Sequence, residues 1–285
     1  MTRACRENTA TLKNGLKSHY YEWPGDGPAL ILLHPSAGYA RIWEWVAEAL
    51  GNRFHIFAPD QRGHGLSGRP DGDYSAQEYA HDLELFMQEL GIDRAIVVGH
   101  SLGGRVAQVF AAMYPERILA LGLVNGPHVC NFRVTRADAK LVLRVAQMTT
   151  EYPEDFASED EIRAFYKGHR PWNHEADELL NHRIAHNFRR LETGRIIPLH
   201  DDVRVAQGLS HMLDDLSSYA RGTECPVLLM RASRSTASRE EIEELSRYWK
   251  DARVIDLDGD YALQLDNPQG VAQTITEFAQ NLELI

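Results

Sequence analysis

Hydrophobic positions along this chain follow two rhythms. Short apolar runs at 29–33, 54–58, 95–98, 118–124 and 226–230 have the length and β-branched content of strands buried on both faces, and 253–257 reads as the last strand. Between them the apolar positions recur at helical spacing. Tyr79, Leu83, Phe86, Met87 and Leu90 share one face, as do Val271, Ile275 and Phe278, and residues 43–50 and 102–113 also read as helices. Start signals support this: Ser75 with Glu78, Thr135 with Asp138, Ser158 with Glu161 and Ser238 with Glu241 have capping-box spacing, and Asn267-Pro268 opens the last helix. Residues 9–23 read as a hairpin broken at Asn14-Gly15, and 24–28 as a further turn.

Strands alternating with helices predict an α/β fold, a mostly parallel sheet flanked by helices. Ligands in such sheets bind beyond the carboxyl ends of the strands. The loops after Leu33, Ala58, Val98 and Val124 therefore share one rim. Residues 125–224 break the rhythm, mixing Arg, His, Glu and aromatics without a buried-strand run. The expected organisation is a core formed by 1–124 and 225–285 with a helical insertion at 125–224.

The stretch that carries chemistry is Gly99-His100-Ser101-Leu102-Gly103, between the apolar run at 95–98 and the helix at 102–113. This is G-x-S-x-G in a strand–turn–helix context. The glycines allow a tight turn, and the helix start presents free N–H groups and its positive dipole end to a developing oxyanion. Ser101 is the candidate nucleophile, and His100 is expected to pack beneath the turn.

Composition narrows the function classes. The chain has 285 residues, 44% of them hydrophobic, and a net charge of −11, which argues against nucleic acid or an acidic membrane as partner. Three cysteines imply no disulfide framework. Neither a signal-peptide core nor a membrane-length apolar run is found, so a cytoplasmic location is the expectation. No cofactor motif is present, neither dinucleotide fingerprint nor P-loop. His182 and His186 are spaced i, i+4, but a metal site needs a third ligand. A solvated polar face is favoured, and no metal is expected.

Taken together, these motifs resemble the α/β-hydrolase family. His34-Pro35-Ser36 stands where that family has its oxyanion loop, Trp43 matches a frequent tryptophan in the following helix, and residues 59–68 (PDQRGHGLSG) resemble the loop of the epoxide-hydrolase, lactonase and C–C-hydrolase branch. The resemblance covers 18–124 and 226 to the end. It implies an oxyanion hole made by the N–H groups of Ser36 and Leu102. It also implies that 125–224 is a helical cap shaping the pocket.

The resemblance stops at the rest of the triad. The acid is expected in the loop after 226–230, which reads Arg231-Ala-Ser-Arg-Ser-Thr-Ala-Ser238, or after 118–124, which reads Asn125-Gly-Pro-His128. Neither holds a carboxylate. Counting back from Asn267-Pro268 puts Tyr261 in the histidine slot, and no histidine follows Met212. A tyrosine used as a base near pH 7 costs roughly 4 kcal/mol.

Three readings follow. One is a hydrolase of esters, lactones or activated C–C bonds with a surrogate base, His128 first, His34 second and a cap histidine third. Another is a lyase, cyclase or decarboxylase using Tyr261 or Asp60 for proton transfer. The last is a ligand-binding protein without turnover. His34, Asp60 and Trp172 are expected to bind substrate, although Asp60 and Arg62 also suit a structural role. Phe132, Phe165, Tyr166 and Trp172 suggest a small hydrophobic substrate. A homodimer is left open.

Overall fold

A strand that is apolar at every position is stable only when both its faces are covered. The computed structural model describes residues 4–125, 143, 151–169, 176–235 and 237–285, and helices cover the sheet on either side. The strands are β1 (Arg6–Thr11), β2 (Lys17–Trp23), β3 (Ala29–Leu33), β4 (His55–Pro59), β5 (Ala95–His100), β6 (Ile118–Val124), β7 (Phe188–Arg190), β8 (Ile196–Pro198), β9 (Val227–Ala232) and β10 (Ala252–Leu257). The helices are α1 (Glu44–Leu50), α2 (Ala76–Glu89), α3 (Leu102–Met113), α4 (Glu159–Gly168), α5 (Asp177–Asn187), α6 (Asp202–Ser210), α7 (Ser217–Gly222), α8 (Arg239–Ser246), α9 (Leu263–Asp266) and α10 (Pro268–Asn281).

Eight strands form one sheet in the order β1-β2-β4-β3-β5-β6-β9-β10. β1 and β2 make the antiparallel hairpin, with Thr11 opposite Lys17. β2 runs antiparallel to β4, and all other neighbours are parallel. Side chains alternate between two cores. Ile31, Leu33, Val97, Leu121 and Leu229 pack with residues of α2 and α3, including Phe86, Val106 and Phe110. Leu30, Leu32, Ile56, Ile96, Val98 and Leu228 pack on the other side with residues of α1 and α10, including Val46, Leu50, Val271 and Ile275. Each such side chain contributes roughly 1.5–3 kcal/mol when fully buried. Together they make the central strands a rigid platform for the loops at their carboxyl ends.

The caps fall where the sequence indicates. Ser75, Ser158 and Ser238 accept hydrogen bonds from Glu78, Glu161 and Glu241 N–H, and Asn267 accepts from Gly270 N–H. Thr135 and Asp138 lie outside the described residues.

The inserted segment differs from the expectation in two ways. It contains a short antiparallel pair, with Phe188 of β7 opposite Pro198 of β8. Strands of three residues are too short to leave a period in the sequence. It also divides its packing. Tyr152, Phe156, Ile162, Tyr166, Leu180, Ile184, Phe188 and Ile196 form a separate apolar cluster, whereas Leu216 and Ala220 join the core under α3. Buried Arg105 and Gln108 of α3 fasten the approach to α7. Arg105 Nη2 donates to the carbonyls of His211 (2.9 Å) and Asp214 (3.0 Å), and Gln108 Nε2 to that of Leu216 (3.0 Å). Among the described residues, no helix is long and apolar enough to cross a membrane.

Candidate active site

β5 delivers the chain to Ser101, whose backbone has φ 52° and ψ −115°. A non-glycine residue held there costs on the order of 1–3 kcal/mol, and such strain persists only where the surroundings enforce it. Here they do. A Cβ on Gly99 would stand 2.1 Å from the Gly103 carbonyl oxygen, and one on Gly103 would stand 2.3 Å from that of Leu33. Both glycines are required by contact with backbone. The second contact also presses the start of α3 against the end of β3. The Leu102 N–H lies in the unpaired first turn of α3, and Ser36 follows three residues after Leu33. Ser101 is 4% exposed.

The loop after β3, which carries Ser36, is supported from below, and here the sequence reading needs two corrections. His34 was expected to contact substrate, or to act as a reserve base. It is fully buried, with Nδ1 2.8 Å from the Pro35 carbonyl and Nε2 accepting from Gln61 N–H at 2.9 Å. Both ring nitrogens are committed, and burial lowers its pKa, so it is a neutral strut. Asp60 was expected to bind substrate as well. It instead accepts from the N–H groups of Ala40 (2.7 Å) and Leu66 (3.1 Å) and lies 2.8 Å from His19 Nδ1. The structural role weighed for Asp60 and Arg62 fits these contacts. Arg62 is 4% exposed and forks onto Asp82 of α2 with bonds of 2.5 and 2.8 Å. His64 completes the scaffold by accepting from Ala37 N–H at 3.1 Å.

On the opposite side of Ser101 stands Tyr261, from the loop after β10. Its side chain interacts with that of Ser101. Desolvation raises its pKa above the ordinary phenol value, and the Ser101 hydroxyl offsets part of that rise. Tyr261 therefore meets Ser101 as a neutral phenol. Its ring lies 4.7 Å from that of His100, and its carbonyl accepts from Asn125 Nδ2 at 3.3 Å. His100 packs under the elbow, 1% exposed, with Nδ1 2.9 Å from Gln264 Nε2. Gln264 lies beside the elbow and is missed by sequence reasoning, which reads Asn125 only as the start of a loop without a carboxylate. Both are buried, and among the described residues Asn125 Oδ1 and Gln264 Oε1 have no hydrogen-bond partner. Buried amide oxygens are ordinarily paired with protein, water or ligand. The loops after β9 and β10 are bonded to each other. Asp258 accepts from Ser233 Oγ (3.0 Å) and Arg234 Nη1 (2.9 Å), and Arg234 N–H donates to the Gly259 carbonyl (3.1 Å).

His128, Trp172, Phe132 and Thr236 lie outside the described residues. Tyr166, expected among pocket aromatics, is buried in the inserted segment's own cluster, its hydroxyl 2.8 Å from that of Tyr152. Phe165 packs against that cluster. The solvated polar face expected for His182 and His186 is also corrected. Both turn inward from α5 to Glu44 of α1, with side-chain exposures of 8%, 23% and 14%. The end of α5 also reaches the loop after β3, where Asn187 Nδ2 donates to the Ala37 carbonyl at 3.2 Å.

Comparison with known proteins agrees with this geometry. The sequence profile of the alpha/beta hydrolase fold matches residues 28–268. The chain is 30% identical to 2-(acetamidomethylene)succinate hydrolase of Mesorhizobium japonicum over 257 residues, covering 89% of this chain and 88% of that protein. The crystal structure of an E-2-(acetamidomethylene)succinate hydrolase superposes with a TM-score of 0.84 at 26% identity, over 97% of this chain and all of that one. An uncharacterised protein of Mycobacterium tuberculosis is 38% identical over 124 residues, 44% of this chain. There the chain spans only about a third (35%) of the relative's length. The fold, the strained serine elbow and the match across nearly the whole chain make this protein a member of the α/β-hydrolase fold family, related to characterised hydrolases.

Proposed function

We propose that this chain is a hydrolase-fold enzyme that works on the carbonyl group of a small, largely apolar substrate, without forming an acyl-enzyme. Ser101 and Tyr261 act as a hydrogen-bonding and proton-donating pair, opposite an oxyanion hole formed by the N–H groups of Ser36 and Leu102. The inserted segment serves as the cap over this site. A lyase, cyclase or decarboxylase step fits this arrangement: negative charge gathers on the carbonyl oxygen, the hole and the two hydroxyls stabilise it, and a proton is returned to the product. The single observation that carries the reading is the residue in the histidine slot beside Ser101, a half-buried phenol whose pKa is raised. A serine nucleophile needs a base that takes its proton as it attacks. A phenol with a raised pKa is a donor at pH 7, and as a base it costs more than the roughly 4 kcal/mol of an unperturbed tyrosine.

A second reading is hydrolysis of an ester, lactone or activated C–C bond, with His128 as surrogate base. Similarity to a hydrolase along nearly the full chain favours it. Intact-mass labelling with a fluorophosphonate, together with turnover on a panel of small carbonyl substrates, separates the two. For the proton-transfer reading we expect no Ser101 adduct between pH 6 and 8. Ser101→Ala should retain turnover within about tenfold, and Tyr261→Phe should lose about 100-fold or more, in the range of a general acid. Rapid labelling of wild type that is lost in both Ser101→Ala and His128→Ala would replace this reading with the hydrolytic one.

A further inference from the structure

We propose that Glu44, His182 and His186 form a binding site for one divalent transition-metal ion of the zinc class, bridging the sheet core to the inserted segment. The set is half-buried, and its donor atoms all lie within 4.8 Å of one another. His182 Nε2 is 3.1 Å and His186 Nε2 is 3.9 Å from the same Glu44 oxygen, Oε2. Tetrahedral ligands at zinc distances stand roughly 3.3 Å apart, so small side-chain rotations bring the three around one ion. Two imidazoles and one carboxylate, with water in the fourth position, is a common open donor set for zinc.

The surroundings favour this use. His182 and His186 sit one helical turn apart on α5, so their relative placement is fixed by the helix. His182 Nδ1 is 2.9 Å from the Tyr39 hydroxyl. That hydroxyl can accept as well as donate. His182 can therefore carry its proton on Nδ1 and turn the Nε2 lone pair to an ion, and outer partners of this kind orient metal-binding histidines. The Trp45 ring lies 4.9 Å from that of His182, and Trp45 also lines an open cleft of about 520 Å³ with Glu48, Glu178 and Leu179. Two carboxylates in this cleft favour entry of a cation. Arg41 opposes it. Its guanidinium holds both Glu44 oxygens, with Nε 3.1 Å from Oε2, so an ion must displace that second bond while the first neutralises Glu44. The effect of occupancy follows from position. An ion here ties α5 to α1 next to Tyr39 and, through Asn187, to the loop after β3.

The test uses the full-length protein, stripped with chelator and titrated with Zn²⁺ against a chromogenic competitor. We expect one equivalent to bind and to raise the melting temperature. His186→Gln, at a partly exposed position, should weaken binding more than 100-fold, and Tyr39→Phe by about tenfold, as for other outer partners. His211→Gln, at a separate histidine paired with Asp73 and Asp214, should bind as wild type. Co²⁺ provides a readout in unmutated protein: intense visible bands of a tetrahedral ion support the site, and the weak spectrum of an octahedral ion overturns it. Equal Zn²⁺ affinity in wild type and His186→Gln, or no competition by folded wild type, also overturns it.

Discussion

On the β3–β5 side of the rim the backbone is clamped at each step. Gly103 touches the Leu33 carbonyl, Gly99 touches Gly103, and His34, Asp60 and His64 hold the loop after β3 through backbone groups. On the β9–β10 side the corresponding loops share two main-chain bonds at their base, Ser233 N–H to the Leu257 carbonyl and Arg234 N–H to that of Gly259, and beyond these are joined by side chains, chiefly Asp258 with Ser233 and Arg234, with Asp258 85% exposed. The difference teaches which parts of a catalytic frame can change. The elbow is made of backbone pressed against backbone, so a substitution there disturbs the fold. The loop tips after β9 and β10 present single side chains, which can be exchanged while the strands beneath them stay in place.

Three experiments break or sharpen this comparison. The largest effect is expected at Gly103→Ala, where the new methyl meets a main-chain oxygen that cannot yield. Overpacking of this kind, added to loss of the elbow, destabilises by about 3 kcal/mol or more. Gly15→Ala, at φ 84° with open space around it, should cost only about 1 kcal/mol. Urea unfolding of the two variants measures the contrast, and similar midpoints would remove the claim that the elbow is the rigid half.

Next in size is a gain. Asn125 ends β6, at the alternative acid position, and its side chain bonds the Tyr261 carbonyl. Tyr261→His combined with Asn125→Asp places an imidazole beside Ser101 and a carboxylate near the imidazole. Loss of the histidine from a serine triad costs about a millionfold, so even partial repair should raise the rate of fluorophosphonate labelling by about 100-fold over wild type. Labelling no faster than in Tyr261→His alone would mean that the loops after β6 and β10 cannot be re-equipped by side chains.

The smallest effect is on pH. Burial holds His64 well below its ordinary pKa, with His34, His200 and Arg69 adding to the shift against a bond to the Arg62 carbonyl. His34 is lowered as well, again chiefly by burial. A histidine depressed in the folded state stabilises above its unfolded pKa of about 6.5 and loses that contribution as pH falls below it, by about 1.4 kcal/mol per pH unit. His19 has the opposite sign. Burial lowers its pKa, but Asp60 and Glu7 together raise it above the ordinary value, so its contribution is full below pH 6.5 and fades above. Unfolding followed from pH 4.5 to 8 should show the acid slope shrink by one histidine's worth in His64→Gln. An unchanged slope would assign acid loss to other groups.

Much of this was legible before the structure. Five buried runs and the capped helices follow from periodicity and hydrogen-bond need, both local properties, whereas the last strand, at 253–257, has no buried position. Ser101 was marked by two glycines at fixed spacing, and Tyr261 by its distance from Asn267-Pro268. Other features left no local trace. His34 and Asp60 look the same in sequence whether they face a ligand or brace a loop. Only the positions of Gln61, Ala40 and Leu66 show that they brace. Gln264 comes to the site after β10 with nothing in its neighbours to mark it, and Asn125 follows β6 at the alternative acid position, where only the lack of a carboxylate was legible.

The sequence by itself determined the alternation of strand and helix, the tight elbow at Ser101 and the absence of a histidine after Met212, since steric need and residue identity are written position by position. The tertiary structure decided what those residues face. It set Tyr261 against Ser101 across more than half the chain, turned two helix histidines away from water, and supplied Glu44 as their partner. Contacts of that kind depend on how distant layers pack, and the energy that selects them comes from burial summed over the whole core.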